Sequence, residues 1–134
     1  MDEVLEFLKE TKTYFLATVE GDQPHVRPFG TIHKYQNKLY IQTGRSKEVS
    51  RQIAANPQVE ICAWAGADWV RVKATLVDDE SLEAQQSLLD DYPELAGMYK
   101  AGDGNNQVLY LKDATASFYS FGSEPPAAPR VVVF

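Results

Sequence analysis

The chain has 134 residues, 44% hydrophobic and 24% charged, with a net charge of −6 and a pI near 4.8. That balance fits one soluble globular domain over residues 1–134, large enough to bury a core without staples. It disfavours general binding to nucleic acid or to an anionic membrane. The single Cys62 excludes an internal disulfide, and two histidines without H-x-x-H spacing give no reason to expect a metal site.

No stretch approaches the ~20 apolar residues of a membrane span. The first residues, MDEVLEFLKE, are acidic where a signal peptide is basic, so the expected location is the cytoplasm. Residues 2–12 put Val4, Leu5, Phe7 and Leu8 on one helical stripe. Residues 14–19 are aromatic and β-branched, which predicts a strand, and Glu20-Gly21-Asp22 predicts a turn.

A second, longer strand is expected over residues 25–35, with Pro28 and Gly30 marking a bulge or a close approach to the backbone. Gln36-Asn37-Lys38 predicts a turn, residues 39–43 a third strand, and residues 46–56 a helix with Ser46 as N-cap, ended by Asn56-Pro57. Residues 59–64 and 69–77 alternate and predict a hairpin. One or two helices are expected over 81–100, broken near Tyr92-Pro93, then two last strands over 108–111 and 114–121. The tail from Ser123 to Pro129 reads as stiff and extended, followed by Arg130 and the apolar residues 131–134. About seven short strands with three to four helices predict a mainly β fold, a small antiparallel barrel with peripheral helices.

The chemistry concentrates in residues 25–56, which hold Arg27, Arg45, Lys47 and Arg51 in an otherwise acidic chain. In Thr43-Gly44-Arg45-Ser46-Lys47 a strand ends, a glycine turns the chain and a helix begins. Unpaired N–H groups at a helix start welcome an anion, and the hydroxyls and cations add to that. The spacing is not that of a Walker A loop. On the preceding strand, period two places His25, Arg27, Phe29, Thr31 and His33 on one face. Guanidinium, ring, hydroxyl and imidazole together suit a flat, phosphorylated ligand. The competing reading of each feature is bland: a solvated N-capped helix, and an outward polar sheet face.

Other residues read as ordinary. Trp64 and Trp69 look like core or interface, Cys62 like a small strand residue and His33 like a surface polar residue. The carboxylates at 78–83 look like a helix start, and Asp90 and Asp91 look solvated.

The order A-T-V-E-G-D-Q-P-H-V-R-P-F, L-Y-I-Q-T-G-R-S-K and N-P-Q-V-E-I-C resembles the pyridoxamine 5′-phosphate oxidase-like flavoproteins. The likeness covers essentially the whole chain and is strongest over residues 24–57. The W-V-R-V-K-A strand before an acidic helix is more similar to the nitroimidazole-reductase-type branch than to the oxidase itself. The resemblance implies an FMN-binding split barrel and a homodimer with FMN in the interface.

It also implies roles by position. Arg27, Pro28, Phe29, Gly30, Thr31 and Ile32 would run along FMN, with Arg27 reaching the phosphate. Gln42 and Thr43 would meet the region between ring and phosphate, and Arg45, Ser46 and Lys47 would hold the phosphate. Trp64, Trp69 and the C-terminal segment would wall the partner's pocket. The tail around Arg130 does not look like the oxidase's substrate-binding end, so vitamin B6 oxidation is not expected. The expected activity is passage of electrons from a reductant such as NAD(P)H to a small acceptor. The alternatives are a non-catalytic flavin carrier or sensor, the same barrel using deazaflavin or haem, and an interaction module without a ligand.

Overall fold

The computed structural model describes residues 1–122 and 128–134. Helix α1 (Asp2–Thr11) lays Val4 and Leu8 on the sheet, both fully buried, and keeps Asp2 and Glu3 in its first turn. Lys12, in the left-handed region, ends it by returning its N–H to Leu8 O at 3.1 Å.

Three hairpins follow, each closed by two residues. Strands β1 (Tyr14–Glu20) and β2 (Gln23–Phe29) turn through Gly21 and Asp22. Strands β3 (His33–Tyr35) and β4 (Lys38–Gly44) turn through Gln36 and Asn37, both at positive φ. After α2 (Glu48–Ala55), strands β5 (Gln58–Ala65) and β6 (Asp68–Asp79) turn through Gly66 and Ala67. Helix α3 (Leu82–Asp91) is capped by Ser81, whose Oγ accepts the Ala84 N–H at 3.2 Å. Pro93 opens a 3-10 turn over Pro93–Gly97. Strands β7 (Asn106–Ser120) and β8 (Arg130–Val133) complete the chain.

All pairings are antiparallel, in the order β2-β1-β5-β6-β7-β4-β3, with β8 also on β7. Strand β7 changes partner along its length. Its Asn106–Tyr110 end pairs with β4, and its Thr115–Phe118 part pairs with β8. The changeover falls at Asp113, at φ 51°, opposite a register shift between Lys73 and Thr75. Strands β2 and β3 are the two ends of the path, yet only Gly30, Thr31 and Ile32 separate them. Three residues reach about 10 Å. The sheet must therefore roll until its ends nearly meet, which is the split barrel that the family resemblance implies.

Inside the roll Leu16, Ile41, Ile61, Val70, Val72 and Leu109 are almost fully buried. A smaller cluster of Tyr40, Ala84, Leu88 and Val108 seats α3.

Four expectations need correction. The long strand over 25–35 is two strands that pair with different neighbours, because the chain leaves β1 after Pro28 and Phe29. The strands over 108–111 and 114–121 are one, since β6 pairs with both halves. The apolar end is a strand of its own, giving eight strands. Helix α2 begins at Glu48 with Lys47 as N-cap, so Ser46 does not cap it. Most of the extended tail, residues 123–127, lies outside the described residues.

Candidate functional site

A cleft of about 360 Å³ opens where the two ends of the sheet approach each other. One wall is Arg27, Pro28, Phe29, Gly30 and Thr31; the next is Gln42, Thr43, Lys47 and Val49; Tyr92, Glu94 and Leu95 form the third. The odd face of β2 is the half-buried one, with His25, Arg27 and Phe29 turned inward. The outward face carries Pro24, Val26 and Pro28. The bland reading of that strand, an outward polar face, is therefore reversed.

Arg27 is held rigidly. Its guanidinium donates to Leu16 O at 3.2 Å, to Thr18 Oγ1 at 2.8 Å and to Gln52 Oε1 at 2.6 Å. Thr18 Oγ1 also donates to Gln52 Oε1, at 2.5 Å, and both side chains are buried. Three of five guanidinium N–H groups are thus used, and two remain for a ligand. Burial pulls the Arg27 pKa below its ordinary value and Glu48 opposes this, but an arginine stays charged.

The connection at residues 30–32 cannot use a strand ladder, so side chains satisfy it. Tyr14 donates its hydroxyl to Thr31 O at 2.6 Å. Ile32 N–H donates to the Tyr92 hydroxyl, which donates in turn to Ile32 O, both at 2.9 Å. Gln42 N–H donates to Thr31 Oγ1 at 2.9 Å. The Gly30 and Thr31 N–H groups carry no bond to another described residue and sit in the cleft wall.

The corner between β4 and α2 is braced from behind. Arg45 N–H donates to Asn105 O at 2.7 Å and Ser46 N–H to Asn105 Oδ1 at 3.1 Å. Gly44 is needed for close approach and not for its φ: a Cβ there would lie 2.9 Å from Tyr99 Oη. No side chain caps α2, and although the Lys47 and Ser50 N–H groups bond Gly44 O and Lys47 O, the Glu48 and Val49 N–H groups and the exposed Lys47 side chain are left for an anion.

The structure brings Arg27, Pro28, Phe29, Gly30, Thr31, Gln42, Thr43 and Lys47 together. It does not bring Ile32, Arg45 or Ser46 into the cleft. Ile32 is core, at 1% exposure. Arg45 is drawn off by a bidentate pair with Asp78, at 2.7 and 3.0 Å. Ser46 is turned to Asn105. Arg51 pairs with Glu20 at 2.5 Å.

Sequence reasoning missed Val49, Tyr92, Glu94 and Leu95. Val49 falls in the helix predicted over 46–56 and Tyr92-Pro93 marks only a break; nothing local says that either lands on the cleft. His33 faces α3, between Asp91 at 2.9 Å and Ser87 at 2.8 Å, and Asp91 also pairs with Lys9 at 2.7 Å. Asp91 is thus a junction and not a solvated carboxylate. Burial raises the Cys62 thiol, which leaves it unactivated.

Trp69 stacks on Tyr119, with centroids 4.1 Å apart, and Trp64 beside it is 68% exposed. Neither lines this chain's own cleft.

Residues 1–119 match the family model described as pyridoxamine 5′-phosphate oxidase. The chain belongs to that family. A NimC/NimA family protein from Clostridium acetobutylicum shares 36% identity at a TM-score of 0.92, over 100% of this chain and 93% of that one, which places the chain in the nitroimidazole-resistance-type branch. Two more distant structures share the fold. A pyridoxamine 5′-phosphate oxidase-related, FMN-binding protein from Nostoc punctiforme is 16% identical, with a TM-score of 0.69 over 99% of this chain and 93% of that one. A haem-binding protein from Mycobacterium smegmatis is 14% identical, with a TM-score of 0.74 over 98% of this chain and 56% of that one. No curated protein matches the chain. Among the described residues of this family member, no helix is long and apolar enough to cross a membrane.

Proposed function

We propose that the protein is an FMN-dependent oxidoreductase, a cytoplasmic homodimer that passes electrons from a reductant such as NAD(P)H to a small-molecule acceptor. One observation carries this reading. Two cations from different elements, Arg27 and Lys47, and an uncapped helix start share a single cleft with the free peptide edge at Gly30 and Thr31. The first group fits a phosphate and the second fits the hydrogen-bonding edge of a flat ring. The volume lies within the range of small-molecule sites.

Each residue then has a task. Arg27 and Lys47 hold the phosphate, with Arg27 pre-set by Thr18 and Gln52. Gln42 and Thr43 lie between phosphate and ring. Phe29 and Leu95 supply apolar wall. The peptide edge orients the ring. The flavin supplies the hydride chemistry when bound, and the protein supplies orientation and electrostatics. The partner's Trp64 and Trp69 are assigned to the open side of the cleft. Phe15, Val26, Trp64 and Phe121 are each at least half exposed, apolar surface that a homodimer would cover.

Haem is the weaker reading, because the described cleft wall offers no His, Cys or Met ligand, and the hydroxyl of its one tyrosine, Tyr92, is taken up by Ile32 and Lys9. The test is the visible spectrum of the purified protein, followed by NAD(P)H oxidation with and without added acceptors. A flavin spectrum with turnover supports the reading. A Soret band, or a colourless protein that gains no thermal stability from FMN, overturns it. Flavin bound without turnover would make the protein a carrier or sensor.

A further inference from the structure

We infer that Tyr92 is a positioning residue of the cleft: its hydroxyl sets the peptide edge at residues 30–32 against which a flavin ring would lie. The inference rests on the flavin reading above and extends it to a residue outside the basic stretch. Tyr92 is the C-cap of α3, some sixty residues along the chain from the connection that it holds.

A phenol has one O–H to donate and two lone pairs to accept with. All three are used. The hydroxyl donates to Ile32 O at 2.9 Å and accepts from Ile32 N–H at 2.9 Å and from Lys9 Nζ at 3.0 Å. The Lys9 ammonium also lies 4.4 Å from the ring centroid and is anchored by Asp91 at 2.7 Å. A saturated hydroxyl has nothing left to give a substrate, so Tyr92 is no proton donor. What it fixes is the residue directly after the two that line the cleft. With Tyr14 on Thr31 O and Gln42 on Thr31 Oγ1, it leaves the Gly30 and Thr31 N–H groups and the Gly30 carbonyl without a bond to another described residue. Tyr14 is buried in the core, whereas Tyr92 itself borders the cleft. Its loss therefore acts where the ligand lies.

The test uses the intact protein titrated with FMN and with riboflavin, followed by the visible flavin band and by flavin fluorescence. Tyr92→Phe keeps the ring and removes the hydroxyl. Expected is a loss of about tenfold in affinity for both ligands, with the FMN-to-riboflavin preference held within about twofold and a shift of the bound flavin's absorption band. A purely structural role would lower the melting point and leave the band and affinity of the folded fraction unchanged; that result overturns the inference. So does a loss confined to FMN, which would make Tyr92 part of the phosphate site. Lys9→Met is the milder second variant, expected to weaken both ligands about threefold, and no change there counts against the clamp. If the wild-type protein takes up no flavin, the flavin reading and this inference fall together. If it binds flavin and Tyr92→Phe binds identically, only this inference falls.

Discussion

The two ends of the cleft are built on opposite principles. In the proposed function the working groups at the corner between β4 and α2 are Lys47 and uncapped helix N–H groups, exposed and carried on a turn that Asn105 and Gly44 brace from behind. At the connection between β2 and β3 the proposed working groups are backbone atoms, which the hydroxyls of Tyr14 and Tyr92 hold in place. The first end supplies charge; the second supplies geometry. Losses at the first should follow the ligand's charge, and losses at the second should follow its ring.

The largest expected effect tests that division. Arg27→Ala with Lys47→Ala removes both cations, and charge-assisted contacts are worth about 1.5–3 kcal/mol each. FMN affinity should fall roughly 100-fold or more, while riboflavin, which lacks the phosphate, should lose about tenfold or less. Equal losses in a titration of both ligands would place the phosphate elsewhere. Next comes Gly44→Ala. Its Cβ would meet Tyr99 and Asn105 at 2.9 and 3.3 Å, so the brace must shift. Denaturant unfolding should show a loss of about 1–3 kcal/mol, with FMN weakened more than riboflavin.

Arg45→Ala sharpens the contrast between two cations that are two residues apart. Arg45 is paired with Asp78, so FMN affinity should change less than about threefold and stability by about 0–1 kcal/mol. A loss matching that of Lys47→Ala would bring Arg45 back to the phosphate. The smallest effect concerns Asp91. Burial alone would raise its pKa, but Lys9 and His33 hold it below the ordinary 3.8. A carboxylate with a depressed folded pKa stabilises the fold above its unfolded value and loses that contribution as pH falls through the folded one. Asp91→Asn should therefore be less stable than wild type at neutral pH, and the gap should close below pH 3.8. A gap that persists in acid unfolding would show that the pair contributes nothing through its charge.

The contrast also explains what was legible in the sequence. The charged end was open to reading because Arg27 and Lys47 declare themselves by residue type and by their place beside a strand end. Even there Arg45 misled, since its partner Asp78 lies thirty-three residues away and no local pattern links them. The backbone end gave only an indirect sign, Pro28 and Gly30 disturbing a strand. It could not show that the strand is two, because the division depends on which neighbours β1 and β4 offer. Tyr92 was read as punctuation for the same reason. Its role depends on α3 crossing the β3 edge, which is a property of the assembled fold. The hairpins, by contrast, were well marked, because their turns are two residues long and local chemistry decides them.

The meeting of the sheet's two ends bears on how the protein comes into being. Residues 1–56 contain every basic group of the cleft and two complete hairpins, yet these hairpins are not hydrogen-bonded to each other. In the sheet they are joined only through β5, β6 and β7, which the chain supplies afterwards. A nascent chain halted at residue 56 would carry the cations of the cleft without the strands that span between its hairpins or the wall formed by Tyr92, Glu94 and Leu95.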